Sequence, residues 1–241
     1  MDGIRRHKTR FTLIELLAVV ALISVLMAVG VPAFARMVRG SKVDESARNI
    51  KLALEQAQMR AASERCYVAV IFPNGSVSDQ LKPYRLGGFR TAYVKYTVDD
   101  EGNEEYKFSK WADDEWRNAP DGAILTRIGD SDFTPAADAA DITISGCTAA
   151  ANSSLQGAGS LAEITGVKDD SGGDLNVGGN AAIIFTPYGE VLCGSKLYLL
   201  VAEAVVEGDK ITYPNGGNAS TTNYKVLKVN NLTGRVEFFK K

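Results

Sequence analysis

The sequence predicts an α+β fold in which a long N-terminal α-helix packs on a mainly antiparallel β head. An apolar run over 16–35 leads into an amphipathic helical pattern that ends near residue 64. From Cys66 onward the pattern changes to short β-branched and aromatic runs separated by turn residues. Because no helical pattern alternates with these strands, we do not expect a parallel doubly wound sheet.

The first ten residues, 1–10, are basic and precede the apolar run. The run has about the length, roughly 20 residues, that is needed to cross a bilayer. Basic residues ahead of such a run predict that the N-terminus stays in the cytoplasm and that everything after the run is exported. We therefore expect a transmembrane part at 13–35.

Three kinds of N-terminal segment could explain this pattern. A removable secretory signal would be cut after a small-x-small pattern, which Ala33-Phe34-Ala35 provides. The second is an uncleaved anchor, and the third is a leader cut at the cytoplasmic edge of the run. Glu15 helps to separate them, because a carboxylate at the membrane end of an apolar helix is costly and indicates function. The structural alternative is that Glu15 merely reaches the membrane interface.

The segment 11–15, with the sequence FTLIE, resembles the N-terminal motif of the type IV prepilin and type II secretion pseudopilin superfamily. The resemblance implies that a prepilin peptidase cuts between Arg10 and Phe11 and methylates the new amine of Phe11. It also implies that Glu15 directs subunit assembly by neutralising the Phe11 ammonium of a neighbouring subunit. Pro32 stands where the family has a proline, whereas Arg10 stands where the family usually has glycine.

Gly30 and Pro32 predict a bend in the helix, because proline removes a hydrogen bond and its ring clashes with the preceding turn. The resemblance implies that this site lets the helix stretch during assembly. The alternative is a simple transmembrane kink, which membrane helices tolerate.

Beyond the apolar run, apolar residues recur at helical spacing and form one stripe. They are Val43, Ala47, Ile50, Leu54, Ala57 and Ala61. No glycine or proline interrupts this stretch, so one N-terminal helix is predicted over 11–65. This continuation argues against cleavage after Ala35.

The remainder, 66–241, is predicted to be an exported β-rich globular head. Its expected strands are Tyr67–Phe72, Tyr93–Val98, Tyr106–Trp111, Ala123–Ile128, Ile142–Ser145, Ala181–Thr186, Leu197–Val206, Tyr224–Val229 and Val236–Phe239. Turn residues predict two hairpins, which join the second strand to the third and the sixth to the seventh. The eighth and ninth strands close the chain around the turn at 231–234.

The head carries a second resemblance. The segment 183–189, followed by a strand and then by Gly234-Arg235-Val236, resembles the head of the H-type minor pseudopilin and its minor-pilin relatives. Some of those relatives bind DNA through a basic C-terminal motif. Here Glu237 stands where a second arginine would be, and phosphate binding needs positive charge. Nucleic acid is therefore not an expected partner.

The composition argues against catalysis by this chain. The single histidine, His7, lies in the predicted leader, which argues against a Ser-His-Asp or Cys-His active site and a His-rich zinc site. A secreted hydrolase with a carboxylate pair is the enzymatic alternative, but no pair of acids stands out. We assign no catalytic residue, cofactor or metal ligand.

Two further groups of residues admit two interpretations each. Cys147 and Cys193 could form a disulfide if the chain is exported, or they could be small buried side chains. Four residues of one loop could ligate calcium, but their spacing matches no calcium loop, and solvated turn residues are favoured. These four are Asp169, Asp170, Asp174 and Asn176.

The sequence therefore predicts a structural subunit of a type II secretion pseudopilus or a type IV pilus. It would span the inner membrane once, with its head in the periplasm, before it enters the filament. The expected partners are prepilin peptidase, other pilin or pseudopilin subunits and the inner membrane. The alternative left open is a single-pass anchored exoplasmic β-domain protein that does not polymerise.

Overall fold

The computed structural model describes residues 13–74, 77–98, 101–120, 122–129, 164–178, 182–193, 197–207, 210–214 and 223–239. The chain divides into two compact units, Met1–Arg39 and Gly40–Lys241. The elements are α1 (Leu13–Glu64), β1 (Tyr67–Ile71), a 3₁₀ helix (Asp79–Tyr84), β2 (Gly88–Val98), β3 (Glu104–Trp111), β4 (Arg117–Asn118), β5 (Ala123–Gly129), β6 (Ile164–Thr165), β7 (Ala182–Phe185), β8 (Leu197–Glu203), β9 (Val205–Glu207), β10 (Lys210–Thr212), β11 (Tyr224–Val229) and β12 (Val236–Phe238).

The halves of α1 at 13–28 and 41–64 belong to different units. The predicted single long helix over 11–65 is therefore not confirmed as one rod. Within the described residues, no helix combines the length and the hydropathy that crossing a membrane requires. The predicted transmembrane part at 13–35 is thus not confirmed either.

In the second unit, the apolar stripe of α1 is buried as predicted. Each of its six residues is at most 2% exposed, and Ala53 joins them. They pack in one cluster with apolar side chains from two sheets. Burial of this stripe accounts for the helix in the head, because an amphipathic helix gains most of its stability from packing its apolar face.

A six-stranded sheet forms one layer of the head. Its strand order is β6-β3-β2-β1-β7, and β4 pairs with β2. The predicted hairpin of β2 and β3 is confirmed, with Val98 opposite Glu104 at the turn. All these pairs are antiparallel except the short parallel contact of β6 with β3.

A four-stranded sheet has the order β12-β11-β8-β5, and β9 and β10 form a separate hairpin. β11 and β12, on either side of the turn at 231–234, pair as an antiparallel hairpin. The head is therefore α+β with mainly antiparallel pairing, as the sequence predicted. The weak strand expected at Ile142–Ser145 lies outside the described residues.

The predicted hairpin of Ala181–Thr186 with Leu197–Val206 is wrong. The first strand, β7, pairs with β1 in the six-stranded sheet, and the second, β8, lies between β5 and β11 in the other sheet. After β7 the chain turns back, and Val191 forms an isolated antiparallel bridge with Phe185. From there the chain passes from one sheet to the other.

The two faces of the six-stranded sheet have different neighbours, because side chains alternate along a strand. Val68 and Val70 of β1 point into the cluster that contains the helix stripe. Ala69 and Ile71 point into a second cluster on the opposite face, which includes Val167. The segment 164–178 therefore covers part of the face that is turned away from α1.

Candidate functional site

The first unit presents apolar side chains around the whole circumference of its helix. Every Leu, Ile, Val and Met at 13–27 is at least 45% exposed. These residues are Leu13, Ile14, Leu16, Leu17, Val19, Val20, Leu22, Ile23, Val25, Leu26 and Met27. A helix that is apolar all round is typical of a segment surrounded by other protein or by lipid.

Two polar side chains interrupt this surface. Glu15 is exposed and lies in the first turn of α1, where the helix dipole favours a negative charge. Ser24 donates its hydroxyl to the carbonyl oxygen of Val20 at 2.8 Å, so its polar group is satisfied within the helix. The segment 16–28 can therefore enter an apolar environment without an unsatisfied hydroxyl.

The other residues that the sequence assigned to this helix are only partly described. Arg10 and Phe11, the predicted cleavage pair, lie outside the described residues. α1 extends past Gly30, where an added Cβ would meet nothing within 4 Å, and past Pro32. The bend at Gly30 and Pro32 stays a prediction.

In the head, the two segments that carried the second resemblance meet over α1. The Gln58 side chain donates a hydrogen bond to the Thr233 carbonyl. Gly189 and Gly234 both have positive φ, at 82° and 64°, and both lie against Gln58. The backbone of Val191 also donates to the carbonyl of Asn231 at 2.7 Å. This junction assigns both segments a packing role.

The charged groups after Gly234 are paired with each other. Arg235 Nε lies 3.0 Å from Glu237 Oε1, and both side chains are more than half exposed. Glu237, which stands where a second arginine would be, therefore also neutralises Arg235.

The four loop residues considered for calcium contact protein groups instead. Asp169 accepts hydrogen bonds from its own turn, and Asp170 pairs with Arg90. Asp174 lies 2.5 Å from the Lys168 ammonium, and Asn176 accepts a bond from the Gly178 amide. In the part of the chain that the structure describes, no group of three or more His, Cys, Asp or Glu side chains could hold a metal ion.

The cysteines are dispersed. Cys193 is half-buried and packs against the helix cluster, whereas Cys147 lies outside the described residues, so their pairing stays a prediction. Cys66 follows the end of α1, and burial together with the Glu64 carboxylate raises the pKa of its thiol. A raised pKa disfavours the reactive thiolate.

A cluster of tyrosines on the six-stranded sheet escaped the sequence reasoning. Tyr67, Tyr96 and Tyr106 have ring centroids 5.6–5.9 Å apart. Tyr96 and Tyr106 both donate to the Glu104 carboxylate at 3.2 Å. Burial and this carboxylate raise the pKa of Tyr106 to about 12. Tyr96 and Tyr106 lie opposite each other across the hairpin of β2 and β3, so the register of the predicted hairpin was the available signal for this pair, whereas Tyr67 comes from β1.

Comparisons with known proteins find no matching family model and no matching curated protein. Among solved structures, the chain is similar to the crystal structure of the type IV minor pilin FimU from Pseudomonas aeruginosa strain PAO1. The two chains are 10% identical, and the match covers 83% of this chain and 90% of that chain with a TM-score of 0.38. A TM-score of this size does not establish a shared fold.

Proposed function

We propose that the chain is a structural subunit of a type II secretion pseudopilus or a type IV pilus, assembled through its N-terminal helix. The observation that carries the proposal is the exposed apolar surface of α1 at 13–27, with Glu15 in its first turn. The hydrophobic effect opposes so large an apolar surface in water. Contact with helices of other subunits, and with the membrane before assembly, would remove it from water.

The proposal extends to how the subunit is prepared. A prepilin peptidase cuts between Arg10 and Phe11 and methylates the new amine, and the head is held on the periplasmic side of the inner membrane until the subunit enters the filament. The FTLIE sequence at 11–15 supports this step. Within the wider superfamily, the H-type minor subunits are the proposed relatives, and the fold is proposed to be pilin-like.

Glu15 is the residue through which assembly is proposed to be controlled. Its carboxylate neutralises the ammonium of Phe11 on an adjacent subunit. Opposite charges attract more strongly in a low-dielectric helix bundle than in water, and an unpaired charge there is heavily penalised. Subunits would therefore enter the filament where this pair can form.

The first experiment tests assembly. Glu15→Ala and Glu15→Gln are expected to abolish incorporation of the subunit into filaments that are sheared from cells or recovered by crosslinking. Glu45→Ala is the matched control, because Glu45 is also an exposed acid on α1 but belongs to the head. Wild-type incorporation of both Glu15 variants would refute the proposed role, and a wild-type chain that never polymerises would favour the anchored β-domain protein.

The second experiment tests processing. When the chain is produced together with a prepilin peptidase, intact-mass and N-terminal analysis should give a product that begins at N-methylated Phe11. A product that begins at Met1 would indicate an uncleaved anchor. A product that begins at Arg36 would indicate a secretory signal cut after Ala35, and either result would contradict the proposal.

A further inference from the structure

A cavity of about 290 Å³ lies on the head, between the 3₁₀ helix, β2 and the segment 164–178. Arg90 of β2 lines it and pairs in register with Ile71, which belongs to the cluster on the sheet face turned away from α1. The cavity is close to the lower end of the size range of small-molecule sites, roughly 300–1,000 Å³. All of its lining residues belong to the second unit.

Arg90 forms a fixed wall of this cavity, because its side chain is only 3% exposed. Nε donates to the Asp113 carbonyl at 3.1 Å, and Nη2 donates to the Asp114 carbonyl at 2.7 Å. Nη1 and Nη2 also donate to the two carboxylate oxygens of Asp170 at 3.2 and 2.8 Å. The guanidinium lies 4.3 Å from the centre of the Trp111 ring. Such a group is preorganised and already neutralised.

Asp169 forms the polar rim. Its Oδ1 accepts hydrogen bonds from the amide and hydroxyl of Ser171 and from the amide of Gly173, at 2.7–2.9 Å. These bonds hold the pKa of the Asp169 carboxyl below its usual range, and the bond from the Ser171 hydroxyl has the largest effect. Gln80, on the 3₁₀ helix, also lines the cavity, and a bond from its side chain lowers the same pKa. The rim therefore offers an ionised acceptor and an amide.

The remaining lining is apolar. Leu81 and Leu175 are buried. Trp116 is half-buried, with its indole 5.3 Å from the ring of Trp111 and 6.0 Å from that of Tyr84. These neighbours hold the indole in place, so it provides a rigid aromatic surface beside the polar rim.

This combination selects a class of ligand. An anion would face the carboxylates of Asp169 and Asp170. Asp170 is already paired with Arg90, so Asp169 is the acid that a ligand meets as a hydrogen-bond acceptor. A purely apolar ligand would remove the rim from water without replacing its hydrogen bonds. A neutral ring with an apolar face and hydroxyl groups satisfies both parts of the lining, because hydroxyls form strong hydrogen bonds to an ionised carboxylate.

We propose that the cavity binds one sugar ring of a neutral glycan, stacked on Trp116 and hydrogen-bonded to Asp169 and Gln80. One ring has about a dozen heavy atoms, so the expected dissociation constant lies in the millimolar range.

The test uses the full chain in detergent micelles and methyl glycosides of glucose, galactose, mannose and N-acetylglucosamine. Saturation-transfer NMR and isothermal titration should detect binding of at least one glycoside at millimolar concentration. Trp116→Ala should weaken that binding about tenfold. Gln80→Ala, a change at an exposed rim residue, should weaken it about threefold and covers the case in which Trp116→Ala does not fold. Tyr188→Ala is the control, because Tyr188 is an exposed aromatic residue outside the cavity, and should bind like wild type.

Several results would overturn the proposal. One is the absence of binding by every glycoside at millimolar concentration. Another is glycoside binding that both cavity variants retain unchanged, or that Tyr188→Ala weakens equally. Tighter binding of choline, the cationic probe, or of glucuronate, the anionic probe, would show that charge rather than a neutral ring is recognised.

Discussion

Replacement of Gly234 by alanine tests whether the C-terminal Gly-Arg-Val segment is a packing element of the head. Gly234 has a φ of 64°, and a Cβ added there would lie 2.2 Å from the Gly189 carbonyl oxygen. It would also lie 2.9 Å from Cγ of Gln58. The left-handed conformation alone costs a residue with a Cβ about 1–2 kcal/mol. The clash with backbone adds an overpacking cost of about 1–3 kcal/mol. We therefore expect a loss of about 2–5 kcal/mol in the free energy of unfolding.

Gly102→Ala provides the matched control. Gly102 has a φ of 84°, but an added Cβ would meet nothing within 4 Å. Its cost should be limited to the conformational part, about 1–2 kcal/mol. Urea unfolding followed by tryptophan fluorescence reports on the head, because both tryptophans, Trp111 and Trp116, belong to it. If the two variants differ by less than about 0.5 kcal/mol, the packing argument at Gln58 fails.

Two further predictions concern the core and the tyrosines. Leu54→Ala should lower the free energy of unfolding in urea by about 2–5 kcal/mol, because Leu54 is fully buried. Leu52→Ala, at a half-exposed site, should lower it by about 0.5 kcal/mol or less. Equal losses would contradict the assigned face of α1. Because the folded pKa of Tyr106 is raised to about 12, the unfolded chain should ionise first, so stability is fully present below about pH 10 and is lost as the pH rises towards 12. Tyr106→Phe should flatten that alkaline loss in unfolding midpoints measured against pH, and an unchanged slope would refute this assignment.

Local patterns predicted the parts of the fold that depend on neighbouring residues. The stripe of α1 follows from helical spacing, and the hairpins of β2 with β3 and of β11 with β12 follow from short turns between strands. In each case the partners lie close in sequence or on one face of one element. Periodicity and turn chemistry therefore contain the required information.

The errors and omissions involve distant partners. Nothing around Pro187 indicates that β8 leaves its neighbour β7 for another sheet, because that choice depends on β5 and β11. The cavity was missed for a similar reason. Its polar groups at Arg90 and Asp170 are 80 residues apart in sequence. The acids at 169–174 are evident in the sequence. Their spacing does not show that Asp170 pairs with Arg90.

The hydrogen bond of Gln58 to Thr233 joins residues 175 positions apart, and this has a consequence for the order of folding. The helix stripe shares its cluster with Val229 and Val236, close to the C-terminus. During synthesis the residues of the stripe are therefore added long before Val229 and Val236, which complete the cluster around it. Until synthesis is nearly finished, this apolar surface is open to wrong partners. A chain truncated before β11 would therefore lack Leu227, Val229 and Val236, and its stripe would be only partly covered.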